Sequence, residues 1–160
     1  MSNGEIKLKT VNEQLADLKA MVDEFLGHNN TRFANFKEEF LLSADLSQEQ
    51  IRALTKDELF ENAYILYSYA SYIQDEMNMQ KIALDWCDDK LDKMVAKNID
   101  EFNPYTKHEM RKQLIVMNDE FANTVDHYRQ IAHARVQSLE GKVYEVKRKA
   151  DILLEKGKRS

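Results

Sequence analysis

Between Leu59 and Met94 the apolar positions fall alternately four and three residues apart without interruption. The series runs Leu59, Ala63, Leu66, Ala70, Ile73, Met77, Gln80, Leu84, Cys87, Leu91, Met94, which is five heptads with one polar member, Gln80. A period of 3.5 keeps one stripe of a helix facing a partner along its whole length, and a single polar seam position can fix register. A strand with its period of two cannot carry this pattern. The whole chain has one proline and four glycines, too little turn chemistry for a many-stranded sheet. The reading is an all-α protein.

The stripe passes through YILYSYASY, residues 64–72, where four tyrosines crowd into nine positions. With Ala63 and Leu66 on the seam, Tyr67 and Tyr69 flank it, and Tyr64 and Tyr72 point further out. The predicted role is packing within the chain or against another subunit. Base stacking is the weaker reading here, since residues 57–80 around the rings are acidic or neutral. Leu84, Trp86 and Phe121 join Tyr64, Tyr67 and Tyr69 as expected packing or oligomer-interface residues, because a lone hairpin buries few large aromatics.

Helix starts are legible as capping boxes at Thr10…Glu13, Ser47…Gln50, Thr55…Glu58 and Thr106…Glu109. The first predicted helix spans 11–26, carries Val11, Leu15, Leu18, Val22 and Phe25, and stops at Gly27. A short helix holding Phe33, Phe36 and Phe40 follows, then another at about 47–54. The long helix ends in KNIDEFNPYT, which contains the proline. A last helix from Thr106 to about 156 carries the stripe Leu114, Met117, Phe121, Val125, Tyr128, Ala132, Val136, Leu139, Val143, Val146, Ala150, Leu153. Two such stripes joined by a short loop predict a long antiparallel helical hairpin over 55–160, preceded by short helices or an arm over 1–54.

The chemistry-bearing candidates are few. Cys87 stands alone, so neither a disulfide framework nor a zinc set is expected. Asp85, Asp88, Asp89 and Asp92 share a helical face, but no facing carboxylate pair completes a metal site. An acidic face partly neutralised by Lys90 and Lys93 is expected instead. His108, His127 and His133 lack the glutamate three residues earlier that a di-iron bundle needs. No phosphate loop or nucleophile motif occurs. The expectation is a non-enzyme with no cofactor and no metal. No apolar run suggests a signal or a membrane span, so a cytoplasmic location is expected.

Charge is polarised. The net charge is −5, yet residues 141–160 hold seven Lys/Arg against three Asp/Glu. Lys142, Lys147, Arg148, Lys149, Lys156, Lys158 and Arg159 are therefore the candidate phosphate contacts, able to give salt-sensitive, sequence-independent affinity.

PYTKHEMRKQL, 104–114, resembles the helix-starting segment of the UvsY family, the recombination mediators of T-even and related phages. The matching positions are Tyr105, Lys107, Glu109, Met110, Arg111 and Leu114. LYS at 66–68, QKIAL at 80–84 and the set Val143, Val146, Lys147 and Lys149 are similar to further family positions, so the likeness spans roughly 59–155. The resemblance implies a helical homo-oligomer that binds single-stranded DNA and helps load a recombinase onto strands covered by single-strand-binding protein. The chain departs from the family at DWCDDKLDK, acidic where the family is basic, which moves expected DNA contact to the C-terminal end. The competing expectation is a structural or inhibitory hairpin protein that binds protein only, as a virion component or anti-host factor.

Overall fold

The computed structural model describes the backbone of residues 9–26 and 29–160 and the side chains of 9–21 and 37–160. The side chains of Val22, Phe25, Phe33 and Phe36, and Gly27, lie outside the described residues. Among the described residues six helices follow one another: α1 Val11–Leu26, α2 Asn29–Ala44, α3 Gln48–Ala53, α4 Lys56–Lys97, α5 His108–Asn118 and α6 Glu120–Arg159, with a 3-10 turn at Ile99–Glu101. No strand occurs among the described residues. Helix α4 packs against α6 as an antiparallel hairpin, with the short helices from the N-terminal part packed beside it.

Two compact units divide the chain, each taking part of both long helices: Met1–Phe25 with Gln80–Ala134, and Leu26–Met79 with Arg135–Ser160. In the second unit, Leu59, Ala63, Leu66, Ala70 and Ile73 of α4 meet Val143, Val146, Ala150 and Leu153 of α6. These are the seam positions that the 4-3 spacing predicts. Phe40 of α2 and Ile51 of α3 complete this core. Phe40 stacks on Tyr69 with ring centroids 5.2 Å apart, and buried Ser43 donates to Asn62 Oδ1 at 2.8 Å.

In the first unit the buried positions of α4 become Ala83, Cys87, Leu91 and Val95, four residues apart. Leu84 and Met94, the expected seam members, are only half-buried. The reason is a change of neighbours: α4 meets Val11 and Leu15 of α1 and Ile115 of α5 as well as Ala122, Val125 and Ala132 of α6. Several neighbours cover a wider arc of the helix than one seam does.

Three of the expected capping boxes form. Glu13 N–H donates to Thr10 Oγ1 and Thr10 N–H to Glu13, and the same reciprocal pairs join Ser47 with Gln50 and Thr55 with Glu58. The fourth does not. Asn103-Pro104-Tyr105-Thr106 closes a turn, with Thr106 N–H on Asn103 O at 2.9 Å and Tyr105 N–H on Asn103 Oδ1 at 3.0 Å. The helix therefore starts after Lys107, which makes no side-chain cap.

The single helix expected from Thr106 onward is two helices. Asp119 is extended (φ −123, ψ 124); its N–H caps α5 on Ile115 O, and its Oδ1 accepts Ala122 N–H at 2.8 Å to start α6. The break turns Ile115 into the core and leaves Leu114 and Met117 exposed, so the second seam begins only at residues 121–125.

Candidate nucleic-acid interface

Helix α6 buries Val143, Val146, Ala150, Leu153 and Gly157. That spacing sends Tyr144, Arg148, Ile152, Glu155 and Arg159 to the opposite face. At Gly157 α6 runs close against Phe60 of α4: a Cβ there would stand 2.7 Å from the Phe60 ring.

The seven predicted phosphate contacts fall into different environments. Lys149 is half-buried, and its ammonium donates to Ala44 O and, at 3.2 Å, to Leu46 O, capping carbonyls at the end of α2. Burial lowers its pKa, opposed by nearby Asp45. Lys158 pairs with Glu155 at 3.5 Å. Lys142 borders an open groove of about 610 Å³ whose lining includes Glu76 and Glu145. Arg148, Lys156 and Arg159 share a shallow depression of about 350 Å³ with Asp151, Ile152 and Glu155. Lys147 is exposed on the other flank.

Of the three acids among these cations, Asp151 and Glu155 are themselves engaged, while exposed Glu145 is in no ion pair among the described residues. Tyr67 O–H donates to Asp151 Oδ1, an interaction that raises the phenol's pKa, and Glu155 is paired as described. Lys147, Arg148, Lys156 and Arg159 make no ion pair among the described residues. The three cations of the last turn, Lys156, Lys158 and Arg159, also complement the negative end of the helix.

Two residues of this face escaped the charge-based reading. Tyr144 is 65% exposed and Ile152 46% exposed, and both lie in line with Arg148 at intervals of four. The signal was available: subtracting the seam 143, 146, 150, 153 from α6 leaves 144, 148 and 152 as its opposite stripe.

The other predicted residues sit elsewhere. Tyr64 is exposed, Tyr67 half-buried and Tyr69 buried against Phe40. Leu84, Trp86 and Phe121 are half-buried against the first unit's core. Lys90, expected beside the acids, places its ammonium over Trp86 (5.8 Å) and Phe121 (6.0 Å). The acidic face is met by side chains from other helices: Asp92 by the Lys112 ammonium (2.8 Å) and the His108 ring (2.9 Å), Asp88 by Arg129 (4.0 Å), with Asp89 on Lys93 at 2.7 Å. No group of three metal-ligating side chains is assembled among the described residues. Burial, with Asp88 adding to it, pushes the Cys87 thiol up to about 11, away from nucleophile chemistry. No described helix is long and apolar enough to cross a membrane.

No family model, curated protein or solved structure matches the chain.

Proposed function

We propose that this all-α hairpin protein is a non-enzymatic recombination mediator that binds single-stranded DNA through the outward face of α6, acts as a homo-oligomer, and helps load a recombinase onto strands held by single-strand-binding protein. One observation carries the DNA-binding part: after Lys149 and Lys158 are engaged within the chain, Lys147, Arg148, Lys156 and Arg159 remain exposed and outside any ion pair among the described residues, around a helix face where Asp151 and Glu155 are already engaged. Cations so placed neutralise a nucleic-acid backbone without reading sequence. The recombinase-loading part rests on the resemblance of 104–114 and the weaker matches around it to the UvsY family.

The test has two stages. A labelled single-stranded oligonucleotide is titrated with the chain by fluorescence anisotropy, wild type against a variant with Lys147, Arg148, Lys156 and Arg159 all changed to Ala. Recombinase assembly on strands precoated with single-strand-binding protein is then timed with and without the chain. Tight binding lost in the variant, with a shortened assembly lag, is the expected result. Tight binding without any change in lag removes the mediator role and leaves a DNA-binding protein.

A second reading is favoured by a different surface. Met110, Leu114 and Met117 lie at i, i+4 and i+7 on α5 and are all exposed, the spacing of a helix face that docks in a groove. A protein-only binder would keep its oligomeric state or partner through this stripe and ignore the four cations of α6. Changing Leu114 and Met117 to Ser, read by sedimentation velocity, separates the two.

A further inference from the structure

Helix α6 contains two glycines in its interior, and they differ in what they allow. Glycine weakens a helix interior relative to alanine, so it calls for a reason. At Gly157 the reason is Phe60, whose ring leaves no room for a Cβ. At Gly141 no atom lies within 4 Å of an added Cβ. Packing therefore does not ask for glycine there, and one physical use of a bare backbone is close approach by something outside the chain.

The exposed aromatic nearest along the helix is Tyr144, three positions on. Residues at i and i+3 are neighbours on a helix surface, and side chains lean toward the helix N-terminus, so Tyr144 borders the open space at Gly141. Tyr144 is 65% exposed, far from the burial of its seam neighbours Val143 and Val146. Lys147 and Arg148, three and four positions further on, are both exposed and lie within about 6 Å along the axis at 1.5 Å per residue. An exposed ring, an open backbone shelf at Gly141 one turn before it and two cations within one turn after it match the parts of a single-strand stacking platform. The groove of about 610 Å³ that Gly141 borders leaves open space beside the shelf.

We infer that Tyr144 is a base-stacking residue: its exposed ring, beside the open space at Gly141, takes an unpaired nucleobase while Lys147 and Arg148 hold the neighbouring phosphates. This rests on the proposed DNA-binding face and adds a preference that charge alone does not create. A base must be free to leave its stack, so single strands bind better than duplex, and strands with bases better than strands without them.

The test compares a labelled single strand with an abasic strand of the same length and with the matching duplex, using the full chain and anisotropy at one salt concentration. Tyr144→Ala is expected to lose roughly tenfold in affinity for the base-bearing strand, to bind the abasic strand as wild type does, and to keep its melting temperature. Tyr144→Phe retains the ring and binds like wild type. Gly141→Leu fills the shelf without changing charge and weakens the base-bearing strand selectively. Equal wild-type affinity for base-bearing and abasic strands, unchanged by Tyr144→Ala, overturns the stacking and leaves the charged face intact. Equal affinity for duplex does the same. Binding to none of the three nucleic acids, with or without capture by phosphatidylserine vesicles, overturns both this inference and the DNA reading beneath it.

Discussion

Gly141 and Gly157 occupy one helix, yet a methyl group added to each meets opposite conditions. Gly141→Ala adds helix propensity into open space and should stabilise by about 1 kcal/mol. In thermal melts of a chain this size that is an upward shift of about 2–4 °C. Gly157→Ala gains the same propensity but sets its Cβ 2.7 Å from Phe60, so its melting temperature should stay at or below wild type. Equal gains at both sites would contradict the packing described at the α4–α6 contact. A second residue-scale effect belongs to Asp92, whose carboxyl is held below the usual carboxylate range by Lys112 first and His108 second. Because the folded value lies under the unfolded one of about 3.9, the stabilisation is complete above that pH and is lost as pH falls through the lower folded value. Asp92 is about half exposed (49%), so screening keeps the effect below about 1 kcal/mol. Lys112→Ala should therefore lower the melting temperature at pH 7 and do so less at pH 2; an equal loss at both would rule out the pair as the cause.

At the scale of the element, Asp119 separates α5 from α6 and serves both, closing one with its N–H and opening the other with its carboxylate. Asp119→Ala removes the cap and should cost about 1 kcal/mol in urea unfolding, within the usual range for such a loss. A neutral result would mean that α6 starts independently of this side chain. Asp119 also marks where the sequence misleads. Leu114 and Met117 continue the apolar spacing of Phe121 and Val125, and periodicity alone joins them into one helix. The competing signal, an Asp before Glu120 in the first turn of a new helix, is short and local, and the packing of Ile115 decides in its favour. Thr106…Glu109 fails for a similar reason, because Asn103 and Pro104 commit Thr106 to a turn before it can cap. The stripe from Leu59 to Ile73 was legible in full, since α6 meets it position for position while α2 and α3 add only Phe40 and Ile51 to the buried cluster; from Ala83 onward α1, α5 and α6 all contribute and the period shifts. Of the candidate site, the cations were legible as composition. Their sorting was not, because Lys149 meets the end of α2 across 105 positions of sequence.

At the scale of the whole molecule, an acidic chain carries a net positive stretch at the end of α6 and two exposed methionines, Met110 and Met117, on α5. Those two surfaces are the ones on which the two proposed readings rest, phosphate contact through α6 and apolar contact through α5. The most direct test of the first is the salt dependence of single-strand binding. Each phosphate neutralised on a single strand contributes a slope of about −0.7 in log affinity against log salt. Four engaged cations on α6 predict a slope near about −3 for wild type, and Lys147→Ala with Arg148→Ala should reduce its magnitude by about 1.4 while the chain stays folded. A wild-type slope near zero, or one that the double variant leaves unchanged, would contradict the assignment of this face to nucleic acid.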